Sequence, residues 1–125
     1  MERRITITSG AFQSDGVLYA TPTADAVWNC LPLHASVHTW GDEIYISIPV
    51  QADLEPDAKE VVEIGDMGYW PSGAALCIFF GPTPVSRPGE IRPASAVNVF
   101  GKVTGATEGF KKITDGSAIS IAKAL

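Results

Sequence analysis

Positive charge is scarce in this sequence. Lys and Arg number 9 against 14 Asp and Glu, a formal net charge of −5 over 125 residues. The cations do not gather into a stripe, which argues against a nucleic-acid surface and against a polybasic membrane patch. Cysteine is equally sparse. Cys30 and Cys77 form no Cys-x-x-Cys pair and set no disulfide framework, so both are read as reduced, buried thiols. Long apolar runs are missing too. The longest, Ala74 to Phe80, has seven residues, whereas roughly 20 are needed to span a bilayer. Met1-Glu2-Arg3-Arg4 leads into an alternating segment and not into the apolar core of a signal peptide. A soluble, cytoplasmic protein is expected, with one domain over residues 1–125.

Chain-breaking residues are abundant. With 12 glycines and 9 prolines, long helices have little room and a turn-rich β architecture is favoured. Hydrophobic residues make up 46% and charged residues 18%, enough apolar matter for a core and too little charge for disorder. Arg3 to Ser9 alternates as a half-buried strand. Ser14-Asp15-Gly16 reads as a turn, with Gly16 to Ala20 as the returning strand. Thr21-Pro22 opens a helix in which Ala24, Val27, Trp28 and Leu31 form one apolar stripe, ended by Pro32. Leu33 to Trp40 and Asp42 to Val50 are the next two strands. In the second, Ile44, Ile46 and Ile48 share one face, and Glu43, Tyr45 and Ser47 the other. Gln51 to Glu60 is an acidic loop, Val61 to Ile64 a short strand that continues through Gly65 to Trp70, and Pro71-Ser72-Gly73 a turn. Ala75 to Phe80 is apolar on both faces, as a central strand is. Gly81 to Ala96 is a long loop with four prolines. Val97 to Thr104 is a strand, Thr107 to Ile113 a short helix, and Ser117 to Lys123 a final strand. About eight strands with two short helices predict a closed barrel, because closure removes exposed edges.

Two segments resemble the cyclophilins. Val97-Asn98-Val99-Phe100-Gly101-Lys102-Val103, followed by a helix ending Gly109-Phe110-Lys111-Lys112-Ile113, is similar to the cyclophilin VVFGKV strand and its helix. Thr23-Ala24-Asp25-Ala26-Val27-Trp28-Asn29 is similar to the TAENF helix. The chain is closer still to a family of short bacterial and archaeal cyclophilin-like proteins. That likeness is carried by Thr39 to Tyr45, by Val61 to Asp66 running into Gly68-Tyr69-Trp70-Pro71, by Ala75 to Gly81, and by Pro93 to Val99. It implies a mainly β, cyclophilin-like closed β-barrel of about eight strands and brings no settled activity.

Prolyl isomerisation must lower a rotation barrier of about 18–20 kcal/mol, which cyclophilins do with an Arg, a His and an apolar proline pocket. The resemblance aligns Val37-His38-Thr39 with their Phe-His-Arg. Thr39 therefore stands where a guanidinium with five fixed donors is needed. Val97 occupies the place of the His, and Arg92 lies near that of the Trp. Arg92 is the one residue of the proline-rich loop that keeps a weak, divergent isomerase in view.

Other chemistry has little support. His34 and His38 are four apart on a strand, a rise of about 13 Å that one metal ion cannot bridge. Asp53, Glu55, Asp57, Glu60, Glu63 and Asp66 lack a calcium-loop spacing and read as a solvated acidic loop. Cys77 lies in an apolar run, where its thiolate is disfavoured. No phosphate loop, metal site or cofactor is implied. The aromatics Trp40, Tyr45, Tyr69, Trp70, Phe79 and Phe80 stand out, because they suggest an aromatic cleft gated by Gly81 to Ala96. The expected ligand-binding residues are Thr39, Trp40, Glu43, Tyr45, Tyr69, Phe79, Thr83, Arg92, Ser95 and Asn98. The expected partner is a peptide or small apolar molecule, with no nucleic acid and no membrane; no oligomeric state is implied. Weak prolyl isomerisation is one alternative, and a small-molecule enzyme with Glu43 as base is another.

Overall fold

A computed structural model describes residues 3–124. The strands are β1 (Arg3–Ser9), β2 (Phe12–Leu18), β3 (Leu33–Ser36), β4 (His38–Thr39), β5 (Glu43–Ser47), β6 (Asp66–Trp70), β7 (Ala75–Phe79), β8 (Asn98–Val103) and β9 (Ala118–Lys123). Among the described residues there are also one α-helix, α1 (Pro22–Cys30), and two short 3-10 turns, Pro71–Gly73 and Glu108–Lys112. All strands belong to one antiparallel sheet in the order β3-β9-β1-β2-β8-β6-β7-β5-β4.

The two ends of that order explain the closure. β3 and β4 are consecutive in the chain, separated only by Val37. The first pairs with β9 at one edge and the second with β5 at the other. A single stretch, Leu33 to Thr39, thus leaves one edge of the sheet and joins the opposite one. Its backbone stays paired through the step, because Val37 donates to Ser117 and accepts from Gly116. The result is a nearly closed barrel. β3 and β4 together occupy the place of one strand in the eight-stranded expectation.

Alternation builds the interior. Ile5 and Ile7 on β1, Ile44 and Ile46 on β5, Leu76 and Ile78 on β7, and Ile119 and Ile121 on β9 are buried in one cluster. The opposite face of β7 is buried as well. Ala75, Cys77 and Phe79 form a second cluster with Val62, Ile91 and Val97. Two isolated bridges, Lys59–Val97 and Val62–Ile91, hold the long loops over this outer face. α1 starts as its sequence dictates: Thr21 caps it by accepting from the Ala24 N–H, and Pro22 occupies the first turn. Ala24 and Val27 are buried beneath it, with Trp28 packed at the margin.

Three local expectations are corrected. The first hairpin turns at Gly10-Ala11, where Gly10 has φ of 59°, and not at Ser14-Asp15-Gly16. Gly16 lies inside β2 because the strands crowd there: a Cβ would come within 2.9 Å of the Lys102 carbonyl oxygen. Val61 to Ile64 forms only the Val62 bridge, since Val61 and Ile64 are exposed and have no alternating buried face. The segment Thr107 to Ile113 tightens into a 3-10 turn, whose buried Phe110 packs between Phe12 and Phe80.

Candidate functional site

The outer face of β5, β6 and β7 carries a cavity of about 270 Å³. Its lining is Trp40, Glu43, Tyr45, Trp70, Cys77, Pro93, Ala94 and Val97. The strand register explains how these meet. Tyr45 faces Cys77 across β5 and β7, and Glu43 faces Phe79 two residues away on the same side. Trp70 ends β6 beside Ala75. Trp40 precedes β5 in a tight turn closed by its own N–H to the Glu43 carbonyl at 2.9 Å. Gly41 allows that turn, with φ of 61° and Pro82 and Pro84 pressed against it, leaving no space for a side chain. Backbone bonds from Asp42 to Pro82 and from Phe80 to Asp42 fix the start of the proline-rich loop to the same turn.

That loop supplies the facing wall. Pro93 is buried and Ala94 lies beside it on the rim. The Trp70 indole donates to the Ser95 hydroxyl at 2.6 Å. Val97 closes the back, its position held by paired backbone bonds with Lys59. Trp40, Tyr45 and Trp70 are each half-buried, so their rings present apolar surface to the cavity.

Glu43 is the polar element of this apolar site. Only 5% of its surface is exposed. Burial raises its carboxyl from an ordinary 4.5 to about 7, opposed in part by a hydrogen bond with the Cys77 thiol. The thiol is pushed well up, first by its own burial and then by the neighbouring carboxylate. Cys77 therefore stays protonated at neutral pH and is a poor nucleophile. Glu43 instead exchanges between acid and carboxylate near neutrality, so it can donate or accept a hydrogen bond at the floor of the cavity.

The structure thus brings together three of the residues expected to bind ligand: Trp40, Glu43 and Tyr45. It places the others elsewhere. The Thr39 N–H and hydroxyl both bond the Asp115 carboxylate. Tyr69 is buried in the barrel interior, where its hydroxyl donates to the Val50 carbonyl at 2.7 Å. Phe79 is buried in the outer-face cluster beneath the loops. The Thr83 hydroxyl donates to the Arg92 carbonyl and pairs with Ser86. The Arg92 guanidinium closes on Glu90 at 2.7 Å. Ser95 is exposed and acts through Trp70. Asn98 is buried: its amide donates to Thr23 and to the Asp53 carbonyl, and its oxygen accepts from the Glu55 N–H.

Sequence reasoning leaves Trp70, Cys77, Pro93, Ala94 and Val97 out of the candidate set. For Trp70 a signal exists, because it belongs to the aromatic group. Val97 carries one too, since the cyclophilin resemblance aligns it with the histidine of that site. His34 and His38 sit on different strands, opposite Ser120 and Tyr45 respectively. Among the described residues no group of three His, Cys, Asp or Glu side chains is placed to hold a metal ion. No helix among them is long and apolar enough to cross a membrane.

Comparison with known proteins agrees with the barrel fold. The family model described as cyclophilin-like matches residues 3–122. The solution structure of a hypothetical protein from Archaeoglobus fulgidus superposes with a TM-score of 0.83 at 40% identity, over 98% of this chain and 95% of that one. No curated protein matches the sequence. With the whole barrel covered by the match, the chain belongs to the cyclophilin-like family.

Proposed function

We propose that this protein is a cyclophilin-like binding barrel that takes a compact, largely apolar small molecule into the outer-face cavity. The observation that carries the reading is the cavity itself. Trp40, Tyr45 and Trp70 surround about 270 Å³ of space with Pro93 and Val97 behind them, and Glu43 alone supplies charge. Such a composition suits one ring or short branched group with a single polar handle. The size fits a small molecule or one side chain of a peptide, and does not suit a nucleic acid. The two cysteines are free, which fits a reducing cytoplasm.

Binding is proposed in preference to isomerisation. The twisted imide must be held by a hydrogen-bond donor aimed at its nitrogen. Thr39 is turned to Asp115, and Arg92 is paired with Glu90. The cavity wall at the histidine position is the isopropyl group of Val97.

The test is titration with neutral ring compounds (N-acetylprolinamide, cyclohexanone and benzyl alcohol), followed by the indole NMR signals of Trp40 and Trp70. Saturable shifts at these two indoles, with Trp28 unmoved, are expected. Three silent titrations at millimolar concentration would count against a ligand cavity of this kind.

A further inference from the structure

The apolar fit leaves one group of the cavity unexplained. Glu43 is a carboxyl with only 5% of its surface exposed. Among the described residues no Lys, Arg or His makes an ion pair with it. A buried carboxylate without a cation is costly, and proteins pair such groups. The rings around it act in the same sense. Trp40, Tyr45 and Trp70 line the same cavity, and an aromatic face carries negative potential. Four of the eight lining residues therefore favour positive charge, and none carries it. The other titratable groups at the site are Tyr45 and the Cys77 thiol. His38 stacks on Tyr45 at 5.1 Å without lining the cavity, and Arg92 is held by Glu90. The net charge of −5 draws cations toward the protein as a whole.

On the basis of the ligand-binding reading above, we propose that the cavity selects a small organic cation. This would be an ammonium group carried on methyl or methylene carbons, with Glu43 as counter-ion and the three rings as its apolar and cation–π shell. The ligand's carbon surface satisfies the apolar walls, and its charge satisfies the one carboxylate of the cavity. The volume of about 270 Å³ accommodates a quaternary ammonium head with a short chain. A bound cation favours the ionised form of Glu43, so binding near neutral pH releases a proton and strengthens as pH rises through about 7.

Choline and its uncharged carbon isostere, 3,3-dimethylbutan-1-ol, separate charge from shape. Both are titrated into the wild-type protein and the Glu43→Gln variant, read by the Trp40 and Trp70 indole signals. Wild-type protein at about pH 8 is expected to bind choline at least about ten-fold tighter than the alcohol, a preference worth about one tryptophan–ammonium contact. The preference is expected to shrink at about pH 5.5, where Glu43 is protonated, and to shrink likewise in Glu43→Gln, which keeps only the share that the three rings supply. Equal affinities for the two compounds in wild-type protein overturn the cation proposal and leave the apolar cavity standing, as does a choline preference that is undiminished both in Glu43→Gln and at about pH 5.5. Silence from choline, while the neutral ring compounds bind, likewise overturns the cation proposal alone. Silence from every compound overturns the cavity reading as well. The wild-type pH profile decides the matter even if Glu43→Gln fails to fold.

Discussion

The Trp70 indole nitrogen and the Ser95 hydroxyl meet at 2.6 Å across 25 residues of chain. This bond joins the end of β6 to the proline-rich loop at the place where Pro93 and Ala94 form a cavity wall. The loop's four prolines have no N–H to donate, and Pro93 lies in the very wall that this side-chain bond holds.

Trp70→Phe keeps most of the ring and deletes this one donor. A net loss of about 0.5–1.5 kcal/mol in folding stability is expected. Amide exchange at Ala94 to Ala96 is expected to speed up, and affinity for any cavity ligand to fall with it. Ser95→Ala should reproduce the exchange effect without touching the aromatic wall. Unchanged exchange in both variants would show that backbone contacts alone hold the loop.

The stability of the fold should fall as pH rises through the range in which Glu43 ionises. The folded protein keeps the Glu43 proton up to about pH 7, and an ordinary glutamate loses it near 4.5. Between those values the native state binds the proton that the unfolded state has released. Raising the pH therefore costs stability, by an amount on the order of 3 kcal/mol at most, and the cost is complete above about pH 7. Burial raises Asp66 in the same direction, so its slope adds to that of Glu43. Urea midpoints of wild-type and Glu43→Gln proteins, compared at about pH 5 and about pH 8, isolate Glu43. The variant is expected to gain on the wild type at the higher pH.

Tyr69 and Asn98 are the two expected ligand contacts that the structure employs most fully inside the fold. Tyr69→Phe strands the buried Val50 carbonyl, to which the hydroxyl donates at 2.7 Å. Asn98→Leu removes the hub that joins Thr23, Asp53 and Glu55. Each substitution is expected to cost about 1–3 kcal/mol in denaturant unfolding, because buried partners are left unpaired. Neither should alter ligand affinity at a temperature where the protein remains folded. A selective loss of binding in Tyr69→Phe would place that hydroxyl in the cavity's mechanics after all.

The pattern of agreement follows the periodicity of the chain. Ile44, Ile46 and Ile48 alternate with Glu43, Tyr45 and Ser47, so the sequence alone sends Glu43 and Tyr45 to the face opposite the interior. That is where the cavity lies. Cys77 is harder to place, because Ala75 to Phe79 is buried on both faces and alternation gives no contrast. Arg92, Ser95 and Thr83 come from a loop without a period, where nothing local fixes a side chain's direction. The hairpin turn escapes local reading for a related reason. Asp15-Gly16 has the composition of a turn, but Gly16 is demanded by the approach of Lys102 on β8, a contact 86 positions away in sequence.

Prolyl isomerase activity is expected to be absent. In a protease-free assay on an X-Pro peptide the rate should equal the uncatalysed one, in wild-type protein and in Arg92→Ala alike. The Arg92 guanidinium binds Glu90 through two nitrogens, at 2.7 and 3.3 Å, and lies outside the lining of the cavity. Arg92→Ala is thus expected to leave choline and ring binding unchanged. A catalysed rate that Arg92→Ala abolishes would show that the loop rearranges to bring the guanidinium to a bound imide.

Gly68 offers a test of the cavity wall that adds no polar chemistry. It sits at the irregularity between Met67 and Gly68 where β6 meets β8. A Cβ built there would stand 2.8 Å from Val97 Cγ2 and 3.4 Å from Phe79 Cε2. Val97 is fully buried, and paired backbone bonds to Lys59 restrain it. Because that side chain also lines the cavity, it is expected to shift toward it. Gly68→Ala is expected to destabilise the protein by about 1–3 kcal/mol through overpacking. It should also narrow the cavity, so that the affinity for 3,3-dimethylbutan-1-ol and for cyclohexanone falls together. The methyl group is uncharged, so the ratio of choline to alcohol affinity should persist while both weaken. A Gly68→Ala protein that loses stability yet binds every probe as before would mean that Val97 relaxes into the core, and that the wall it forms does not set the size of the ligand.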